Sequence, residues 1–168
     1  KDATPLLLVQ KEDVLQAGRV VALKRMLPEL IEQAPPFLRE FRIHRQLAHP
    51  NIPRAYELGL ASDHGVLCPY FTMEVSPGVP LVELMLRHQV GLPLRAVTQI
   101  ATGLLRALDH IHRQGWVHGD LKPGNLMLNQ KREVKVTDFG IASLFGGPRL
   151  TKTGDEKGTP LYMSPEQI

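Results

Sequence analysis

The stretch that decides the fold is Trp116–Gly140, WVHGDLKPGNLMLNQKREVKVTDFG. It divides into a tight loop, a short strand, a turn, a second strand and another tight loop. Leu126-Met127-Leu128 is apolar, Val134-Lys135-Val136 alternates apolar and charged, and Asn129-Gln130-Lys131-Arg132 between them is polar and turn-prone. That pattern predicts a β-hairpin. A hairpin sets its two mouths side by side, so Asp120 and Asn125, before the first strand, are expected near Asp138, after the second. Two carboxylates and one amide oxygen meeting at one mouth make a hard-oxygen site of the kind Mg²⁺ prefers, with phosphate oxygens and water completing its shell. Lys122, two residues past Asp120, can bring positive charge to a transferring phosphoryl group.

Singly, each of these residues has an ordinary explanation: Asp120 and Asp138 cap turns, and Lys122 is a solvated lysine. Together they carry more. The spacing Asp120-x-x-x-x-Asn125, followed by Asp138-Phe139-Gly140 after a hairpin, resembles the signature of the Hanks-type serine/threonine protein kinases, in their bacterial, eukaryote-like group. The resemblance implies that Asp120 orients the substrate hydroxyl and accepts its proton, that Asn125 and Asp138 are the metal ligands, and that Lys122 clamps phosphate. Lys at that place resembles the Ser/Thr rather than the Tyr kinases. One departure is plain: Gly119 stands where most of the family carries Arg. That Arg pairs with an activation-loop phosphate, so the chain looks like a non-RD type, less dependent on such a phosphate.

The rest of the chain extends the resemblance in order. Val20-Val21-Ala22-Leu23-Lys24 reads as a buried strand ending in lysine and resembles the V-A-I-K strand, whose Lys binds the α/β-phosphates; Ala22 then roofs the adenine. Pro35–Leu47 opens with prolines, as helix starts often do, and Phe37, Phe41, His44 and Leu47 fall at helical spacing. It resembles the kinase helix αC, with Glu40 on the inward edge paired to Lys24. His44, one turn later, is expected as a packed core histidine. Residues 53–73 read as two strands joined by Ala61-Ser62-Asp63-His64-Gly65, with Tyr70–Glu74 alternating, and lead to the hinge. There Met73 resembles the gatekeeper, Glu74, Val75 and Ser76 offer backbone groups to the base, and Met127 belongs with them to the ATP site. Leu81–His88 is a short helix. Pro93–Arg113 is a longer one, whose stripe Val97, Ile100, Ala101, Leu104, Leu105, Leu108 and Ile111 is expected in the core, stopped by Gly115. Thr151 and Thr153 are candidate phosphoacceptors in a polar activation loop. Gly158–Glu166 resembles G-T-x-x-Y-x-A-P-E with Ser164 for Ala, and implies a protein-substrate groove shaped by Thr159.

No G-x-G-x-x-G precedes the lysine strand. Two alignments are open. In one, Val9 ends a degenerate loop in which Asp2, Thr4 and Leu7 replace the glycines. In the other, preferred here, the loop lies upstream, Lys1-Asp2 closes a strand, Thr4–Gly18 is an extended connection, and a turn falls at Ala17-Gly18-Arg19.

Composition bounds the remainder. At 168 residues the chain is the size of one domain. Its 43% hydrophobic and 22% charged residues fit a soluble globular chain, and a net charge of +3 gives no reason to propose nucleic acid as partner. The single Cys68 rules out an intrachain disulfide. No apolar run is long enough to span a membrane. The expected fold is α+β, a two-lobe kinase-like architecture: a small antiparallel β lobe with one helix over residues 1–75, and a partial, mainly helical lobe over 76–168. The expected activity is ATP- and Mg²⁺-dependent phosphoryl transfer, with Mn²⁺ as the substitute, to Ser/Thr hydroxyls of a protein substrate, in the cytoplasm, from a parent protein open to membrane anchoring elsewhere. A small-molecule, aminoglycoside-type phosphotransferase is the first alternative, supported by His118-Gly119-Asp120, and a non-catalytic pseudokinase scaffold the second. The chain reads as truncated, and apolar surface is expected to be exposed.

Overall fold

The computed structural model describes residues 6–13, 16–87, 91–139, 143–144 and 160–165. It begins with an antiparallel hairpin, β1 (Leu6–Asp13) and β2 (Gln16–Arg25), in which Leu6 faces Lys24 and Val9 faces Val21. A 3-10 turn, Pro28–Gln33, leads into helix α1 (Ala34–Gln46). Strands β3 (Ala55–Asp63) and β4 (Val66–Met73) follow, closing a four-stranded antiparallel sheet of order β1-β2-β4-β3. Their turn is only His64-Gly65, both at positive φ (47° and 82°), the backbone of a two-residue hairpin whose twist matches its strands; Ala61–Asp63 already belong to β3. A core of Ala22, Met26, Phe37, Phe71 and Met73 fastens α1 to this sheet. Tyr70–Met73 does not alternate as expected: Phe71, Thr72 and Met73 are all buried, Thr72 with its Oγ1 accepting from Glu57 N–H (3.2 Å) on the neighbouring β3.

The second half carries β5 (Val79–Pro80), α2 (Leu81–Arg87), α3 (Leu94–Arg113), β6 (Trp116–Val117), a 3-10 turn Pro123–Asn125, β7 (Leu126–Leu128), β8 (Val134–Val136), β9 (Ser143–Leu144) and a 3-10 turn Pro160–Tyr162. Strands β5, β7 and β8 make a three-stranded sheet, and β6 pairs β9. The β7–β8 hairpin forms as predicted, Leu126 facing Val136 and Leu128 facing Val134. Its loop is closed by Asn129, whose Oδ1 accepts from the N–H of Lys131 (2.9 Å) and Glu133 (3.0 Å). A second core of Ile100, Ala107, Ile111, Leu126, Leu128, Val134, Val136 and Phe139 also takes in Ile43, Leu47 and Ile52. The end of α1 is thus built into the same core as the β7–β8 hairpin.

Two sequence expectations are corrected. Where an extended connection and a turn at 17–19 are expected, Leu6–Asp13 is a strand, residues 17–19 lie within β2, and Asp13 pairs with Gln16. The apolar run near Val9 finds its partner in the run of β2. Leu7 and Val9, which the other alignment places in a degenerate glycine loop, lie within β1, while Asp2 and Thr4 lie outside the described residues. In α3 the buried face is Ala96, Ile100, Ala107 and Ile111, while Leu94 (81%), Leu105 (64%) and Val97 (45%) are exposed. Gly103 explains the face. A methyl there would come within 2.7 Å of Val134 Cγ1, so the helix lies against β8 along its glycine side. Leu105, two residues on, is turned some 200° away at the helical pitch of about 100° per residue. Leu86 of α2 is exposed as well.

Candidate active site

Lys24 stands at the end of β2 because the alternation of a central strand turns it to the same side as Phe71, its partner on β4, and toward α1. There its Nζ lies 2.6 Å from Glu40 Oε1 and 2.6 Å from Asp138 Oδ1. The first contact is the expected pair. The second was not foreseen, and it ties β2 to a residue 114 positions away. Burial works against the Lys24 ammonium, but the attraction of Glu40 and Asp138 outweighs it and holds its pKa above the usual lysine range. Burial pushes the Glu40 carboxyl up, with Lys24 pulling it back. Asp138 is also disfavoured by burial, but Lys24 holds it below the usual carboxylate range. Its side chain keeps 41% exposure, and its φ is +66°, a left-handed conformation rare outside glycine and a strained one at a candidate site.

The loop before β7 is held by its own side chains. Asn125 Nδ2 donates to Asp120 O (2.8 Å) and to Asp120 Oδ2 (3.1 Å), which fixes the carboxylate and turns the amide oxygen away from it. Lys122 Nζ lies 2.7 Å from the same Oδ2. His118 bridges the two mouths of the hairpin: Nε2–H donates to Thr137 O (2.9 Å), and Nδ1 accepts from Asp120 N–H (3.3 Å). Burial lowers its pKa, so the ring is neutral with the proton on Nε2. Thr137 returns the tie, donating N–H (2.9 Å) and Oγ1–H (3.1 Å) to Asn125 O. The sequence reading gave His118 and Thr137 no role. The signal was available, since one opens the loop between β6 and β7 and the other opens the loop after β8.

Phe139 is buried against His44 and His118, with ring centroids 4.9 Å apart in each case. His44 is a core histidine, as expected. Ala22 and Met73, expected as adenine roof and gatekeeper, face each other across β2 and β4, both buried. Met127 is half-buried on β7. Glu74 departs from the expectation in part. Its N–H is donated to Arg54 O (2.8 Å) and its carboxylate binds Lys135 Nζ (2.8 Å) and Arg54 N–H (3.2 Å), so only its carbonyl is left for a base. Val75 packs against the first core. Thr151, Thr153, Thr159, Gly158 and Glu166 lie outside the described residues.

A family model described as "Protein kinase domain" matches residues 9–168. This chain belongs to the protein kinase domain family, whose members use ATP with a divalent metal. It is 40% identical over 156 residues to a probable serine/threonine-protein kinase of Streptomyces coelicolor, covering 89% of this chain and 23% of the other. It is 40% identical over 154 residues to the DNA damage-responsive serine/threonine-protein kinase RqkA of Deinococcus radiodurans, covering 89% and 22%. It is 39% identical over 164 residues to the tyrosine-protein kinase MasK of Myxococcus xanthus, covering 89% and 25%. The chain therefore spans about a quarter of the length of these relatives. Among the described residues no helix is long and apolar enough to cross a membrane.

Proposed function

We propose that this chain is the catalytic core of an ATP-dependent serine/threonine protein kinase, with residues 1–75 as its small lobe and 76–168 as part of its helical lobe, working in the cytoplasm. The observation that carries the reading is Lys24 Nζ at 2.6 Å from both Glu40 and Asp138. It joins a strand, a helix and a loop that sequence alone leaves far apart. The residues present suit Mg²⁺. Asp138 offers its second carboxylate oxygen, partly exposed, and Asn125 offers the amide oxygen that its bonds to Asp120 leave over. Among the described residues no three His, Cys, Asp or Glu side chains gather as a metal site, so the phosphates of ATP would complete the coordination. Mn²⁺, with the same ligand preference, would substitute. When bound, the metal would neutralise charge on the phosphates.

The chain's own part is positional and electrostatic. Asp120, steadied by Asn125 and paired with Lys122, presents its other oxygen to a substrate hydroxyl and takes the proton as the hydroxyl attacks. Lys122 and Lys24 carry positive charge to the phosphoryl group. Ala22, Met73, Val75, Met127 and the Glu74 carbonyl enclose the base. Incubation of the full-length protein with radiolabelled ATP, Mg²⁺ and a basic protein tests this. Asp120→Asn and Asp138→Ala are each expected to lower transfer by about 10²-fold or more. Transfer to an aminoglycoside but not to protein would overturn it in favour of the small-molecule reading, and Mg²⁺–nucleotide binding without transfer in favour of a scaffold. One relative's printed name points to tyrosine as acceptor; phosphoamino-acid analysis of the product separates that reading from Ser/Thr.

A further inference from the structure

A cavity of about 510 Å³ lies between Ser76-Pro77, the β7–β8 hairpin and helix α3. That is the size of a ligand-binding cleft, and neither Lys24, Asp120 nor Asp138 borders it. Its wall is cationic. Arg106 comes from α3, and Arg132 and Lys135 come from the hairpin. Glu133 also lines it, with its carboxylate bound to Asn129 Nδ2 (2.7 Å). Ser76 Oγ is buried there and has no hydrogen-bond partner among the described residues. A buried hydroxyl left in that state is costly, and a bound backbone group would satisfy it. From Gln99 the lining continues along α3 into an open hollow bordered by Leu94, Arg95 and Thr98. Gln99 Nε2 donates to Lys131 O (2.8 Å), which ties the helix to the hairpin loop where the two hollows meet.

The two hollows make one groove, long enough for a peptide. Leu94 and Arg106 are separated by about 18 Å of helix at about 1.5 Å per residue, which an extended chain covers with about five or six residues. Arg95, Arg106 and Arg132 are exposed and have no ion-pair partner among the described residues. Lys135 is offset by Glu74 (2.8 Å), and Glu133 offsets one arginine, so positive charge is left in excess. We propose that this groove docks an acidic segment of the protein substrate. Its carboxylates meet Arg106 and Arg132, whose planar guanidinium groups accept a carboxylate on two prongs. An apolar side chain of the segment covers the exposed Leu94, and its backbone reaches Ser76 Oγ. The proposal rests on the kinase reading above for the identity of the partner, though not for the binding itself. A contact made away from the reacting atoms binds substrate and transition state alike, so it acts on KM rather than kcat.

The test is fluorescence anisotropy of a labelled six-residue peptide, leucine at one end and glutamates at the other, made in both orders and titrated with the full-length protein. One order should bind, and a peptide with lysine in place of glutamate should not. Arg106→Glu combined with Arg132→Glu should weaken binding at least about ten-fold. Arg106→Gln combined with Arg132→Gln should weaken it about five-fold, and serves alone should the charge reversal fail to fold. Arg113→Ala, which removes a cation of α3 outside the groove, should leave affinity within about two-fold. Joined to a serine acceptor peptide, the acidic segment should lower KM about five-fold at unchanged kcat, and the double variant should erase that gain. No binding of the glutamate peptide, equal weakening by Arg113→Ala, or the same KM with and without the acidic segment would overturn the proposal. Failure of the unsubstituted protein to phosphorylate any protein or peptide would instead overturn the kinase reading, while the anisotropy titration would still report on the groove.

Discussion

His44 should make the fold acid-sensitive, and leucine in its place should remove that sensitivity. The ring is 1% exposed, both nitrogens lie in the core without a hydrogen-bond partner, and Phe71 and Phe139 pack on it with centroids at 6.4 and 4.9 Å. Burial first, and the Lys24 charge second, depress its pKa from 6.5 to about 3. The folded state thus keeps the ring neutral where the unfolded chain would protonate it. Between those two values the unfolded state binds the extra proton, so this contribution is fully present above about pH 6.5 and is lost as pH falls toward about 3. From pH 7.5 to 5 the loss is about 2 kcal/mol, at roughly 1.4 kcal/mol per pH unit below the unfolded pKa. In urea that is about a 1 M fall in midpoint for a slope of about 2 kcal/mol/M. His44→Leu, similar in volume, should lose this component of the fall. It should also be more stable at pH 7.5 by about 1–3 kcal/mol, because two unpaired buried nitrogens disappear. The assay is urea unfolding of both proteins at pH 7.5 and 5. Midpoints that fall in parallel would show that His44 titrates in the fold as it does in water, and would refute the reasoning.

Three further outcomes are expected. Gly78→Ala should destabilise by about 3 kcal/mol or more, seen as lost soluble expression or a large fall in melting temperature; φ is +126° and a methyl would sit 1.8 Å from Leu128 O. Glu40→Gln should weaken Mg²⁺–nucleotide binding about ten-fold in calorimetry, because Lys24 then has only Asp138 to hold it. Arg113→Ala should change the unfolding free energy by less than about 0.5 kcal/mol, since its pair with Asp109 is exposed on both sides.

The parts legible in the sequence were those in which one residue type at one spacing has few physical explanations. The hairpin between Leu126 and Val136 announced itself by composition, and the loops at its mouths followed from its geometry. Helix α1 was readable from its prolines and the spacing of Phe37, Phe41 and His44, and the Lys24–Glu40 pair from the motif order. What was not legible depended on which side of an element meets a distant neighbour. An apolar stripe on α3 gave no means of choosing between Gly103 and Leu105 as its inner edge, because the choice is made by β8. The contact of Asn51 with Val134 was hidden for the same reason: an asparagine after His49-Pro50 reads as a turn residue, and the carbonyl its side chain binds lies 83 positions on. Glu74 passed as a backbone donor because nothing near it in sequence shows that Arg54 already takes its N–H.

The shared lysine has a bearing on how ligands would arrive. With no phosphate near, Lys24 shields Asp138, and a lone divalent cation would meet a carboxylate whose charge is already offset. A triphosphate drawing the ammonium toward itself would uncover that charge at the moment the cation comes within reach. On the kinase reading, ion and nucleotide should therefore each raise the other's affinity by the same factor, as linkage requires, and the pocket should discriminate against either one presented alone.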